Sequence, residues 1–149
     1  MNANGSVDVP IQRLDPELDL PRRQRAGDAA ADLPARIDQH IAPGERAMVP
    51  TGFAIAVPEG MCALVLPRSG LAAKQGLTVA NAPGLVDSGY RGEIVVILVN
   101  HGSEPVEITR GQRIAQLLVL PVPMLGFVEV DELPAAPDDR GGAGFGSSG

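Results

Sequence analysis

Tryptophan is absent from the 149-residue chain, tyrosine occurs once (Tyr90), and aromatic residues make up only 3% of it. A chain of this length can still bury a core for one domain, but that core must be built from Val, Ile, Leu and Ala. The single cysteine, Cys62, excludes an intrachain disulfide framework, and its apolar surroundings mark it as a small core residue. Lysine is nearly missing as well: Lys74 is the only one. Positive charge therefore sits on arginine, and the net charge is -6. Such a chain repels a nucleic-acid backbone, so no nucleic-acid partner is expected. A small phosphorylated ligand is not excluded, because it needs only a few local arginines and backbone amides. No apolar run approaches the length of a membrane span, and no signal-peptide core opens the chain. A soluble cytoplasmic protein with no membrane partner is the expectation. Neither histidine has a cysteine or histidine at ligand spacing, which argues against zinc.

Glycine and proline are plentiful, at 18 and 14 residues. They punctuate the chain too often for long helices and favour short strands with turns. Strand-like patterns occur over residues 7–14, 39–41, 47–57, 61–66, 94–100, 106–109, 110–122 and 127–130. Pro10 marks the first as an edge strand. Residues 26–33, GDAAADL with its preceding alanine, read as a loop whose Asp28 and Asp32 make local turns or stand near a divalent cation. One short helix of barely two turns is expected after Ser69 as N-cap, with Lys74 in the last turn and Gly76 just past the end. The expected fold is all-β, a jelly-roll-like barrel with one very short helix.

Three stretches carry candidate chemistry. The first is Thr78–Ile97, read as a hairpin of two strand-like runs around a polar turn. It holds the only tyrosine, a carboxylate (Asp87) three residues before it, and glycines that allow close backbone approach. An ordinary hairpin, with Asp87 forming the turn and Tyr90 half-buried, fits the same residues. The second is Arg68 ahead of the helix N-terminus, a combination that suits a phosphate or is simply a capped helix with a solvated arginine. The third is the tail, RGGAGFGSSG, which cannot bury enough apolar surface to fold on itself. It is either a disordered tail or an arm that orders over a ligand, with arginine for phosphate and phenylalanine for stacking. Gln116 is a polar residue in an otherwise apolar run, and such a glutamine needs a partner.

The segments GDAAADL, PRSGLAAKQGL, NAPGLVDSGYRGEI, RGQRIAQL and RGGAGFGSSG occur in this order over residues 27–149. Together they resemble the five motifs of the trimeric deoxyuridine triphosphate nucleotidohydrolases. The resemblance implies a homotrimeric β jelly roll, Mg2+ dependence, and hydrolysis of dUTP to dUMP and pyrophosphate. That reaction supplies dUMP for thymidylate synthesis and keeps uracil out of DNA. The division implied is a β-barrel domain over residues 1–133 and a C-terminal arm over residues 134–149.

By this resemblance Asp87 orients and deprotonates the attacking water, and Tyr90 stacks on the deoxyribose, where a ribose 2′-hydroxyl would clash. The backbone around Asn81, Gly84, Leu85, Val86 and Val95 would read the uracil edge. Arg68, Ser69 and Gly70 would hold phosphates, and Gln116 would reach the α-phosphate. Asp28 would face Mg2+ through water, Arg140 would bind the γ-phosphate, and Phe145 would stack on uracil as the arm closes. Ala30–Ala31 departs from the family, which often has glycine and an aromatic there. Four residues follow Phe145, so the order of the arm is expected to depend on ligand. Two rival readings share the fold: a dCTP deaminase, for which Glu93 is the only candidate base, and a non-catalytic nucleotide-sensing trimer.

Overall fold

The β-branched runs and frequent turns resolve into ten strands and one helix in the computed structural model, which describes residues 7–135. In chain order these are β1 (Ile11–Arg13), β2 (Ala31–Pro34), β3 (Gln39–Ile41), β4 (Arg46–Ile55), β5 (Met61–Leu66), α1 (Ser69–Gln75), β6 (Leu77–Val79), β7 (Gly84–Val86), β8 (Glu93–Asn100), β9 (Val106–Ile108) and β10 (Arg113–Pro121). They form two four-stranded sheets, ordered β1-β4-β8-β6 and β2-β10-β5-β7, and a small β3-β9 pair. Every strand pairing is antiparallel. The ladders stay three separate sheets and do not close into one continuous barrel, an arrangement compatible with a jelly roll. No helix among the described residues is long and apolar enough to cross a membrane.

Strand alternation sends one face of each large sheet inward. Val49 and Ile55 of β4, and Ile94, Val96 and Leu98 of β8, meet Leu33, Ala63, Val65, Val86 and Ile114 of the other sheet in one buried cluster. The two sheets thus pack face to face over an aliphatic core. Phe53 is the one aromatic side chain among the largest fully buried ones.

Four expectations change. Residues 31–34 form a strand, not a loop, because pairing with β10 buries Leu33 completely; tertiary pairing outweighs the weak strand preference of Ala and Asp. Ser69 is the first helical residue, while Arg68 takes the N-cap position with extended backbone and no side-chain cap. The Thr78–Ile97 stretch is not a single ladder. β6 pairs with β8, whereas β7 crosses to the other sheet and pairs with β5. Finally, residues 127–130 form no strand, and Phe127 is 98% exposed.

The helix ends as expected, at Gly76 with φ 67°. A Cβ there would stand 2.5 Å from the backbone nitrogen of Gly102, so both the conformation and the space demand glycine.

Candidate active site

The crossing of β7 from one sheet to the other opens a cavity of about 320 Å³ between them. β6 covers β8 only as far as Leu98, with one further bond from the Ala80 amide to the Ile97 carbonyl at 2.8 Å. Backbone groups alternate sides along an antiparallel strand. Because the Ile97 carbonyl faces β6, the amide and carbonyl of Val95 face the same way, past the end of β6. That leaves a donor and an acceptor side by side on an open edge. Val95 lines the cavity together with Asn81, Gly84, Leu85, Val86 and Asp87.

The turn that follows holds the two chemical side chains. The Tyr90 amide donates to the Asp87 carbonyl at 3.1 Å. Arg91 Nη1 donates to the carbonyls of Ser88 at 2.6 Å and Tyr90 at 2.7 Å, tying the turn from outside. Tyr90 folds back over the chain after it, its hydroxyl donating to the Glu93 carbonyl at 2.9 Å. A Cβ on Gly92 would lie 2.5 Å from that hydroxyl, so only glycine lets the ring lie there. Tyr90 remains 45% exposed, with surface free toward a ligand. The Asp87 carboxylate is exposed and has no hydrogen bond or ion pair with any described residue.

A second cavity, of about 580 Å³, is lined by Asp28, Asp32, Arg68, Ser69, Arg113 and Gln116 among others. Here Asp32 holds two arginines. Its Oδ1 lies 3.1 Å from Arg68 Nε, and its Oδ2 accepts from Arg113 Nη1 at 3.0 Å. The Arg68 Nε–H is buried and not aligned on any acceptor, so that first contact is ionic and not a hydrogen bond. Arg68 Nη1 donates to the Arg113 carbonyl at 2.9 Å. The Asp28 carboxylate accepts the Arg25 amide at 2.9 Å, closing its own turn at the cavity edge. Among the described residues no three Asp, Glu, His or Cys side chains gather into a metal cage.

The two cavities lie on opposite faces of one sheet. Val65 lines the first and its chain neighbour Leu66 the second, and successive strand residues point to opposite faces. Gln116 is paired with Leu66 and with Asp32, so all three share the outer face.

The expected residues are thus gathered in two groups, not one. Asn81, Gly84, Leu85, Val86, Asp87, Tyr90 and Val95 meet between the sheets. Asp28, Arg68, Ser69 and Gln116 meet on the outer face, with Gly70 beside Ser69 in the first turn of α1. Arg140 and Phe145 lie outside the described residues. The sequence reading passed over Arg113 and took Asp32 for a loop residue. The contact that reveals them joins residues 81 apart in sequence, and no local pattern announces it.

A family model described as dUTPase matches residues 16–149. A deoxyuridine 5'-triphosphate nucleotidohydrolase of Thermobifida fusca is 58% identical over 146 residues, covering 97% of this chain and 80% of that protein. Its namesake in Mycolicibacterium gilvum is 53% identical over 148 residues, covering 97% and 96%. Among solved structures, the dUTPase of Staphylococcus bacteriophage 80alpha with dUPNHPP superposes with a TM-score of 0.88 at 26% identity, covering 97% of this chain and 99% of that one.

Proposed function

The chain belongs to the dUTPase family, and on that premise we propose that Asp87 activates a water to attack the α-phosphorus of dUTP. The protein is a hydrolase acting on dUTP, and the products are dUMP and pyrophosphate. The water oxygen forms the new bond to phosphorus and the bond to the pyrophosphate oxygen breaks. Asp87 takes the proton, acting as general base. The observation that carries this reading is a carboxylate without a partner among the described residues, at a cavity that also holds the sole tyrosine and an open strand edge. A carboxylate tied up by an arginine would be a poorer base.

Uracil suits the free edge at Val95. An amide donor next to a carbonyl acceptor matches the O4 and N3–H of uracil and mismatches the corresponding groups of cytosine. Asn81 and the backbone of Gly84, Leu85 and Val86 bound the same space, which leaves little room for a thymine methyl. Tyr90 stacks on the deoxyribose. The triphosphate is held by Arg68, Ser69, Gly70 and Gln116, with Arg140 on the γ-phosphate and Phe145 over the base. In this reading residues 134–149 are an arm that closes the site. The Asp28 carboxylate at the outer cavity suits Mg2+ held through water, since that ion keeps several waters and takes phosphate oxygens directly. When bound it neutralises triphosphate charge.

A single chain keeps its base pocket and its phosphate cradle on opposite faces of a sheet, so one nucleotide cannot reach both. A homotrimer in which each site joins the inner cavity of one chain to the outer cavity of another resolves this. The apolar segment after β10 supports association: Met124, Leu125, Phe127 and Val128 are each more than 70% exposed on the isolated chain, and such a patch calls for a partner. Work on a free nucleotide fits a cytoplasmic location.

The deaminase alternative fares worse, because its one candidate base is engaged. The Glu93 carboxylate accepts the Gly52 amide at 2.7 Å and pairs with Arg36 at 3.3 Å. Pyrophosphate and ammonia release from dUTP and dCTP with Mg2+ tests the choice. Pyrophosphate from dUTP without ammonia from either nucleotide is expected; ammonia from dCTP would overturn the reading.

A further inference from the structure

Glu93 does two things at once, and neither is chemistry on substrate. Its main-chain carbonyl accepts the Tyr90 hydroxyl at 2.9 Å. Its side chain runs the other way, across to β4. There the pairing shifts from Pro50↔Val95 to Ala54↔Glu93, so the β4 segment between is longer than its partner. This bulge carries Gly52 at φ 83° and turns its amide onto the Glu93 carboxylate at 2.7 Å. A Cβ on Gly52 would lie 2.9 Å from Leu18 Cδ1, so the loop before β2 closes over the bulge. Arg36 Nη1 pairs with the same carboxylate at 3.3 Å, and its Nη2 reaches the Leu14 carbonyl at 3.4 Å. The next peptide is pinned too: buried Thr51 donates its hydroxyl to the Ile94 carbonyl at 2.8 Å.

The 93 carbonyl is thereby fixed, and it is the only described acceptor for the Tyr90 hydroxyl. We propose that Glu93 is a positioning residue for sugar selectivity: anchored on Gly52 and Arg36, it holds Tyr90 at the depth that admits a deoxyribose and rejects a ribose. The proposal rests on the dUTP-hydrolase reading and deepens it. A sugar pocket that excludes one hydroxyl needs a wall that does not yield, since a side chain free to swing aside would merely cost some binding. Tyr90 is half-exposed and sits on a turn, so its rigidity must come from its hydroxyl bond and from whatever fixes the acceptor.

The test compares wild type with Glu93→Ala, Glu93→Gln, Tyr90→Phe and the Glu93→Ala/Tyr90→Phe double variant. Steady-state kcat and KM are measured for dUTP and UTP with Mg2+. Glu93→Ala and Tyr90→Phe should each lower the dUTP-over-UTP ratio of kcat/KM by roughly tenfold, through better UTP turnover more than worse dUTP binding. The double variant should lose no more than either alone, because both act through one contact. Glu93→Gln keeps an acceptor for the Gly52 amide and should recover most of the ratio. In parallel, the single ring-labelled tyrosine resonance should shift in Glu93→Ala and return toward wild type in Glu93→Gln. An unchanged ratio in folded Glu93→Ala, or losses that add in the double variant, would overturn the proposal. Should Glu93→Ala not fold, the Glu93→Gln and Tyr90→Phe pair decides: a Glu93→Gln protein with normal selectivity beside a Tyr90→Phe protein that also keeps it contradicts the proposal. Absence of pyrophosphate release by wild type would instead sink the hydrolase reading. The resonance comparison would then still stand, and an unmoved ring in Glu93→Ala would overturn the role of Glu93.

Discussion

Asp87 and Asp15 show how differently two loop carboxylates can be used. Asp87 is left without a partner among the described residues at the cavity, which suits a group that must accept a proton. Asp87→Asn keeps the size and polarity of the side chain and removes the base. dUTP binding should persist while kcat falls by about 10²–10⁴-fold; isothermal titration with a non-hydrolysable analogue and a pyrophosphate assay separate the two effects. Asp15 is the opposite case. Arg110 Nη2 donates to both of its oxygens at 2.8 Å, and the Glu17 amide and Arg36 add to the hold. The hydrogen bond from Arg110 lowers the Asp15 pKa below its ordinary 3.8, partly opposed by burial, and the same contact raises that of Arg110.

A carboxyl depressed in the folded state stabilises the fold at pH values above its unfolded pKa and loses that contribution as pH falls through its folded pKa. Asp15→Asn should therefore be less stable than wild type by a constant margin above about pH 5, with the two converging in acid below 3.8. Urea unfolding at a series of pH values reads this directly. A margin that is flat down to the most acid point would show that Asp15 contributes nothing through its charge.

At the scale of elements, β3, β5 and the helix were legible almost to the residue. Their signals are local: a β-branched run closed by a turn, or helix formers ended by glycine. β8 was legible for the same reason, as a continuous apolar run between turns. What could not be read was partnership. The apolar runs that include Leu85–Val86 and begin at Ile94 read as the two arms of a hairpin, but they do not say that these arms belong to different sheets, and that division opens the cavity. Residues 127–130 show the same limit from the other side. The alternating pattern is present, and the chain offers it no ladder of its own. The candidate site was readable in its chemistry, since Asp87 and Tyr90 stand out by rarity and spacing. Its supports, Asp32 with Arg68 and Arg113, or Glu93 with Gly52 and Arg36, join residues far apart in the chain and needed the fold.

The helix terminus offers a check on this level. Gly76→Ala forces a side chain into left-handed backbone and against Gly102, which should destabilise by at least about 1 kcal/mol. The thermal midpoint should drop by roughly 2–8 °C for each such kcal/mol. A midpoint within one degree of wild type in scanning calorimetry would mean that the α1–β6 junction is not packed as described.

For the whole molecule the decisive feature is that the inner and outer cavities face apart. On the proposed roles of the two, a monomer would hold two half-sites, and an assembly can make them whole. Symmetric closure of identical chains gives every copy the same pair of neighbours, so each inner cavity can meet an outer one. The exposed apolar segment after β10 and the net charge of -6 are consistent with a molecule that associates with itself and not with nucleic acid.

Mixing two inactive chains tests this most directly. Asp87→Asn disables the inner cavity and Arg68→Ala the outer one, each leaving the other intact. The two are unfolded together, refolded in equal amounts, and the mixed assemblies isolated by two affinity tags before pyrophosphate release from dUTP is measured. If sites are shared between neighbouring chains of the proposed trimer, each isolated mixed assembly has about one whole site in three, and activity of that order should return. If each site lies within one chain, every site in the mixture carries a lesion. Verified mixed assemblies as inactive as their parents would contradict the shared site.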